Sequence, residues 1–204
     1  MDILINNQYK DKCKVEVFTT DNNNITIKII DKKKKMLADV KVGSTIIIGE
    51  REYVVLEHSA GTTAVITKEP IKTMTFGKDG DYTKSDVRTY CNGEFYNELC
   101  NVVGKDNIIP HGVDPMADDG TGKYKIVQDN VSILTTNLYR RYHEFLPPYG
   151  DWWWTATRVS DDDSIGCSRF VRCVNSIGIL AWDGCGFSYG VRPFCILNSS
   201  ILVS

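Results

Sequence analysis

Four amino acids are absent from the C-terminal part of this chain of 204 residues. Lys, Glu, Gln and Met together supply 30 residues of the sequence, yet none of them occurs after position 144. At the average rate of the chain, the last 60 residues (204 minus 144) would contain about nine of them. Part of this absence has a structural explanation, because a densely packed β domain disfavours long flexible side chains and the run Lys32–Lys35 raises the average content of the chain. Chance alone is a poor explanation.

Long apolar runs and an excess of one charge are also missing. No stretch approaches the roughly 18–20 apolar residues that span a bilayer, so we expect no membrane insertion. The formal net charge is -2 and the pI is near 5.9, so no global field attracts nucleic acid or an anionic membrane. The first residues lack a basic segment followed by an apolar one, so we expect no signal peptide and no general secretory export.

Metal-binding patterns are missing as well. The seven cysteines include no C-x-x-C pair, the step from Cys91 to Cys100 matches no zinc spacing, and the three histidines lie far apart. The acidic loop Asp114–Lys123 lacks the regular spacing of an EF-hand, and Asp161–Asp163 has no lectin-type calcium motif beside it. We therefore expect no metal ion and no cofactor, and mostly reduced, buried thiols.

The first third of the chain has the pattern of two β units. Lys14–Thr19 and Ile25–Ile30 are apolar or alternating and flank the turn formers Asp21–Asn24, which predicts a hairpin. The lysine run that follows predicts a solvated turn or a guarded strand edge. Further strands are predicted at Thr45–Ile48, Tyr53–Glu57 and Thr63–Thr67.

Two helical regions follow. Ser85 is a candidate N-cap, apolar residues then recur at helical spacing, and Gly104 is a stop signal, which predicts one or two helices over Ser85–Val103. A break is expected near Asn92-Gly93. A second helix is predicted from Thr136 or Asn137 to Phe145, before a proline pair.

The C-terminal part again predicts strands. They are expected at Trp152–Thr157, Arg169–Val174, Ile179–Trp182 and Val191–Leu197, with a turn over Asn175–Gly178. Strands and helices in this arrangement predict an α+β fold.

Four segments in this order resemble segments of one protein family. They are Asp86–Asn97 (DVRTYCNGEFYN), Val131–Thr135 (VSILT), Trp152–Thr157 (WWWTAT) and Gly190–Pro193 (GVRP). The family is a domain of unknown function common in gut bacteria and their phages, related to the formylglycine-generating-enzyme type of C-type lectin fold. The resemblance extends over roughly residues 40–197, and the ordered set is more specific than any one segment.

The resemblance implies a C-type-lectin-like domain over residues 41–204, with two helices and a mixed, mostly antiparallel sheet. Residues 1–40 would be a small β region for attachment or homo-oligomerisation. Some members resemble the variable proteins of diversity-generating retroelements, in which adenine-directed mutagenesis rewrites Asn codons. By that resemblance, residues 161–191 form an exposed surface for a protein or another surface ligand, and the protein belongs to a phage virion, or to the cytoplasm before assembly.

The genetic code provides a permissive test of diversification. Changing both adenines of an Asn codon cannot produce Lys, Glu, Gln, Met or Trp, and residues 161–191 contain none of the first four. By the resemblance, the ligand-binding positions are Ile177, Ile179, Ala181, Asp183, Gly184, Gly186, Phe187 and Tyr189, with a fixed Trp182 lining the site. Ser164, Ile165, Cys167, Arg169, Arg172 and Cys173 would extend the surface, while Cys185 and Ser188 are ambiguous.

The flanking residues are expected to form the framework. Trp152, Trp153 and Trp154 are predicted in the core, and Gly190, Arg192 and Pro193 are predicted to be structural. Arg192 is expected to make a buried ion pair or a backbone contact. At the surface, Phe187 and Tyr189 would supply rigid apolar contact area, unless they pack internally against the tryptophans.

Two other functions stay open. Relatives of the formylglycine-generating type are oxidases that use cysteines, and Cys173, Cys185 and Cys195 are available. None of the three matches a catalytic motif, so we expect no enzyme. The second alternative is a non-diversified structural or phage-associated protein.

Overall fold

The computed structural model describes residues 13–19, 25–31, 34–122 and 125–204. Its strands are β1 (Cys13–Thr19), β2 (Ile25–Asp31), β3 (Lys35–Met36), β4 (Thr45–Ile48), β5 (Arg51–Ser59), β6 (Thr62–Thr67), β7 (Lys72–Thr75), β8 (Ile108–Ile109), β9 (His111–Val113), β10 (Val127–Asp129), β11 (Val131–Ser132), β12 (Trp153–Arg158), β13 (Phe170–Val174), β14 (Leu180–Gly184), β15 (Ser188–Val191), β16 (Phe194–Asn198) and β17 (Leu202–Val203). Its helices are α1 (Asp86–Tyr90), α2 (Tyr96–Val103) and α3 (Thr136–Tyr142), with a π-helical turn at Cys91–Phe95. Short 3-10 turns cover Leu37–Asp39, Tyr82–Lys84, Lys105–Asn107, His143–Phe145, Asp163–Ile165 and Cys167–Arg169.

Two larger sheets form the body. A six-stranded sheet has the order β11-β16-β6-β5-β4, with β8 also paired to β16, and a five-stranded sheet has the order β14-β13-β12-β15-β7. β12 and β15 run parallel, and the other pairings of the described strands are antiparallel. Strands β1 with β2, β9 with β10, and β3 with β17 form two-stranded sheets. The protein is therefore α+β with mostly antiparallel sheets, as the sequence predicts.

The predicted N-terminal hairpin is confirmed. Strands β1 and β2 are antiparallel, with Cys13 opposite Asp31 and Thr19 opposite Ile25. The predicted turn Asp21–Asn24 lies outside the described residues, as do Lys32 and Lys33 of the lysine run. The division of the chain near residue 40 stays a prediction.

The two predicted helical regions are also confirmed. The Ser85 hydroxyl accepts a hydrogen bond from the Arg88 N–H at 3.0 Å, which caps α1. The predicted break near Asn92-Gly93 is a π-helical turn that joins α1 to α2 without ending the helix, and Gly104 follows α2 with φ of 83°. The second helix begins after an N-cap at Thr135, whose hydroxyl accepts from the Leu138 N–H at 3.2 Å.

Consecutive tryptophans connect two hydrophobic clusters. Trp154 packs in a cluster with Val87, Phe95 and Leu99 of the first helical region. Trp153 points to the other face of β12 and packs with Tyr139 of α3 in the second cluster. All six residues of β12 are buried, so both faces of this strand are covered, which is why its sequence does not alternate between apolar and polar residues.

One strand prediction is wrong. The run Val191–Leu197 is not a single strand, because β15 ends at Val191 and β16 begins at Phe194. Arg192 and Pro193 connect the five-stranded sheet to the six-stranded one. Proline lacks the N–H group that would donate a hydrogen bond to a neighbouring strand. The sequence reading also missed β7. Within the described residues, no helix has both the length and the apolar character needed to cross a membrane.

Candidate functional site

The candidate site is the hairpin formed by β13 and β14, together with the start of β15. Its turn is the predicted one: the Asn175 side chain accepts from the N–H groups of Ile177 and Ile179 at 3.1 and 2.9 Å. Gly178 has φ of 80° and its carbonyl accepts from the Tyr139 hydroxyl at 2.6 Å. This bond attaches the turn to α3, so the tip of the hairpin has a defined position on the body.

Large apolar side chains are exposed along this hairpin. The exposed fractions are 65% for Ile177, 57% for Ile179, 54% for Trp182 and 58% for Phe187. We call residues 177–189 the display surface. Exposing several large apolar groups side by side costs solvation free energy, and such patches commonly mark sites of interaction.

Strand alternation divides the display surface into two faces. Ala181 lies opposite Cys173, and Asp183 lies opposite Val171, so these two β14 residues share one face. Trp182, opposite Arg172, lies on the other face. Trp182 and Asp183 therefore point to opposite faces of the sheet.

The Asp183 face carries a row of aromatic rings. Tyr189 packs on Trp152 and Trp154 with ring centroids 5.2 and 4.8 Å apart, and Phe187 lies nearly parallel to Tyr189 at 6.4 Å. The Tyr189 hydroxyl donates to the Asp183 carboxylate at 2.5 Å. Burial, followed by this hydrogen bond, raises the pKa of Tyr189, so its phenol stays protonated. Phe187 is exposed, whereas Tyr189 is partly packed against tryptophans.

The Trp182 face is supported by ionic contacts with the body. The Trp182 ring meets Phe170 edge-on at 4.9 Å. The neighbouring Arg172 guanidinium forms an ion pair with the Asp118 carboxylate at 3.0 Å, and the Arg140 guanidinium forms a second one with Asp118 at 3.1 Å. Arg172 therefore ties β13 to the acidic loop, and Asp118 serves as the partner of two arginines.

A groove connects the two halves of the predicted surface. It has a volume of about 360 Å³ and is lined by Gly166, Arg169, Phe170, Gly184, Cys185, Gly186 and Phe187. Arg169 comes from the upstream half and is exposed, and no ion pair of Arg169 occurs among the described residues. The groove thus combines aromatic side chains, glycine backbone and an arginine that has no ion pair in the described part of the chain.

The remaining upstream residues lie in the two short turns before β13. Ser164 is exposed, and its N–H donates to the Asp162 carboxylate at 2.8 Å. Cys167 is half-buried. The side chain of Ile165 lies outside the described part of the structure. Cys173 is buried, which removes it from the surface.

The framework residues occupy the places expected of them, with one correction. Trp153 and Trp154 are buried, but Trp152 is only partly buried and lies beside Tyr189. The prediction that Trp152 lies in the core is therefore wrong. Trp152 precedes the first residue of β12 and packs against Tyr189 of the display surface. A Cβ on Gly190 would lie 2.6 Å from the Pro70 Cβ, so only glycine fits. Pro193 is buried.

Arg192 makes the expected backbone contacts, and it has no ion pair with any residue that the structure describes. It is 2% exposed, and its guanidinium donates to the Thr67 carbonyl at 3.1 Å and to the Lys68 carbonyl at 2.7 Å. The same group lies 4.9 Å from the centre of the Trp153 ring. Arg192 therefore joins the two sheets where the chain passes between them.

The cysteines proposed for oxidase chemistry are buried. Burial raises the pKa of the Cys173 thiol and of the Cys195 thiol to about 12. Cys185 is 2% exposed. A thiol needs thiolate character to act as a nucleophile, and these surroundings disfavour it. Among the residues that the structure covers, no group of three or more His, Cys, Asp or Glu side chains is arranged to hold a metal ion.

Sequence reasoning missed two contributors to the site, Phe170 and the exposed part of Trp152. Phe170 was predicted only as a residue inside the strand Arg169–Val174, although it lies next to Arg169 in the predicted variable half. Comparison with protein-family models, with curated proteins and with solved structures finds no match for this chain. The functional assignment therefore rests on the display surface and its groove.

Proposed function

We propose that this chain is a ligand-binding protein that recognises a protein or another surface target through residues 161–191, with the display surface at the centre. The observation that carries the proposal is the exposure of Ile177, Ile179, Trp182 and Phe187 within the display surface. Exposed aromatic and branched side chains bury a large apolar area at a small cost in conformational entropy, as in antibody paratopes.

We further propose that the fold is C-type-lectin-like and that a retroelement diversifies this region. Two features support the proposal. Lys, Glu, Gln and Met are absent from residues 161–191, as adenine-directed changes of Asn codons require. Candidate variable positions lie in or beside β14, the last strand of its sheet among the described residues, and Ile179 there is 57% exposed, so its substitution alters the surface. Residues 1–40 would then serve for attachment or self-association, as in a phage-associated protein.

Binding is proposed in preference to catalysis because the exposed groups are apolar and the candidate thiols are buried. Among the described residues, Arg169 of the groove has no ion pair, and the groove contains no nucleophile paired with a base. Such a site holds a partner by shape and apolar contact.

The DNA around the gene tests diversification. A near-copy of the 3′ end of the coding sequence, differing only at adenines and lying beside a reverse transcriptase gene, is the expected result. Its absence would contradict diversification and leave a binding protein with a constant surface.

Matched substitutions test the binding surface. For any binder selected against the whole chain, Ile179→Asn and Phe187→Asn should weaken binding by at least about tenfold each, the scale of an interface hot spot. Ile126→Asn is the control, because Ile126 is 62% exposed but lies outside the display surface. Binders that respond to Ile126→Asn and ignore the other two would place the binding surface elsewhere.

A further inference from the structure

We propose that the target binds as an extended polypeptide segment that adds a strand to the free edge of β14. This inference rests on the proposed function, since it names the kind of ligand that the display surface takes. The feature that carries it is a sheet edge with unpaired backbone groups, flanked on both faces by exposed apolar side chains.

The hydrogen-bond pattern shows which backbone groups of β14 are free. The Asn175 N–H donates to the Ile179 carbonyl at 3.0 Å, and the Cys185 N–H donates to the Arg169 carbonyl at 2.8 Å. In an antiparallel pair, every second residue exchanges hydrogen bonds with the partner strand. Residues 179, 181, 183 and 185 therefore face β13.

The residues between them face outward. The N–H and C=O groups of Leu180 and Trp182 point away from β13, and β14 is the last strand of its sheet among the described residues. An extended chain laid beside β14 would complete these hydrogen bonds. Strand addition of this kind takes its affinity from the main chain and its specificity from alternate side chains.

Two other sheet edges, those at β7 and β4, are protected, and this one is not. At the opposite end of the same sheet, β7 follows Pro70 and carries Lys72, whose ammonium group pairs with Glu94 at 3.0 Å. At the edge of the six-stranded sheet, the Ile47 N–H donates to the Ser204 carbonyl at 2.6 Å. Proteins normally block free edges with proline, lysine or a covering segment.

Strand β14 has none of these protections. Its sequence, Leu180–Gly184 (LAWDG), contains no proline and no lysine. Its one charge, Asp183, already accepts the Tyr189 hydroxyl. An edge left open in this way beside exposed apolar groups is suited to pairing with another chain.

The side chains flanking this edge define the ligand. On an added strand, successive residues would alternate between the Trp182–Phe170 face and the face of Ala181 and Tyr189. Each face carries aromatic side chains beside one charged group, Arg172 or Asp183, that is already bonded within the protein, so apolar residues are expected at successive positions of the segment. The groove of about 360 Å³ beside Phe187 has room for one of these side chains.

A charge at one end of the edge sets a further preference. Phe170 pairs with Gly184, so Arg169, one residue before, lies at the Gly184 end of β14. Arg169 is exposed and has no ion pair among the described residues. We expect a carboxylate on the target at this end, since guanidinium and carboxylate groups pair with matching geometry.

The test is selection of a displayed library of linear peptides against the whole chain, followed by amide hydrogen exchange. In the free protein, the amides of Ala181 and Asp183 should exchange slowly and those of Leu180 and Trp182 quickly. With a selected peptide bound, the two fast amides should become protected. The selected peptides should be apolar and carry an acidic residue.

Paired variants isolate the backbone contribution. Trp182→Ala removes the side chain alone, whereas Trp182→Pro also removes the outward N–H while leaving the bonds to β13 intact. Trp182→Pro should bind at least about tenfold more weakly than Trp182→Ala, the effect of one lost hydrogen bond plus a clash. If Trp182→Pro fails to fold, Arg169→Glu replaces it and should abolish binding of the acidic peptides.

The outcomes separate this inference from the proposed function. Binding that depends on Phe187 while the Leu180 and Trp182 amides stay unprotected would overturn strand addition and leave the display surface as the binding site. Binding that depends on neither would overturn both. A selection without enriched peptides would also overturn strand addition. So would saccharide binding on a glycan array that Trp182→Ala and Trp182→Pro weaken equally.

Discussion

Replacing Arg192 tests whether this residue holds the two sheets together beneath the display surface. Its guanidinium makes two hydrogen bonds to the Thr67 carbonyl, both at 3.1 Å, and one to the Lys68 carbonyl at 2.7 Å, at 2% exposure. The Arg192→Ala variant leaves the buried Thr67 carbonyl and the partly buried Lys68 carbonyl without this donor. The Arg192→Lys variant keeps the charge but can satisfy only part of the set, because an ammonium group lacks the planar fork.

The magnitude follows from these contacts. A hydrogen bond to a charged group contributes about 1.5–3 kcal/mol, and a carbonyl left without a donor costs about 1–3 kcal/mol. The cost of burying the guanidinium offsets part of this sum. We expect Arg192→Ala to lower the free energy of unfolding by about 3–5 kcal/mol and Arg192→Lys by about 2 kcal/mol.

Urea denaturation measures both values, with Arg169→Ala as the control. Arg169 is an arginine of the same region, but it is exposed and has no ion pair among the described residues, so its removal should change stability by less than about 0.5 kcal/mol. A loss of less than about 1 kcal/mol in the free energy of unfolding for Arg192→Ala would refute the assigned role, because it would be no larger than the effect of an ordinary substitution.

Three further predictions concern the surface, the core and pH. Phe187→Asn and Ile179→Asn should each change the free energy of unfolding by less than about 1 kcal/mol, measured in urea, because both side chains are more than half exposed; a larger loss would make them core residues. Gly190→Ala should destabilise the protein severely in thermal unfolding, because its Cβ would lie 2.6 Å from the Pro70 Cβ, and an unchanged midpoint would contradict that contact. Burial raises the pKa of Tyr90 and of Tyr142 to about 12. Since the folded state then holds these protons more tightly than the unfolded state, their contribution is complete below about pH 10 and is lost as pH rises toward 12; stability that increases across this range would contradict the burial of these phenols.

Much of the local structure was predictable because its signals are local. The cap at Ser85, the stop at Gly104 and the turn at Asn175–Gly178 each depend on a few neighbouring residues, and the structure shows all three. The strand Thr45–Ile48 was predicted with its observed bounds. The boundary between β15 and β16 was missed, because an apolar run looks continuous while its two ends belong to different sheets.

The candidate site was only partly accessible to the sequence. The residues of the display surface were named from a resemblance, and their positions on the surface follow from the structure. The structure exposes Ile177, Ile179, Trp182 and Phe187. The sequence spacing does not predict which face of the sheet Trp182 and Asp183 occupy. The register of β14 against β13 places these two on opposite faces, and register depends on the partner strand.

What the sequence alone determined is the class of protein: α+β, with a composition break after residue 144 and no pattern typical of a metal site. Composition and short-range spacing carry that information, since they act within a few residues. The tertiary structure decided which side chains are exposed, that Arg172 is held by Asp118, and that β14 lies at the edge of its sheet. These properties depend on contacts between residues far apart in the chain, so local sequence patterns do not predict them.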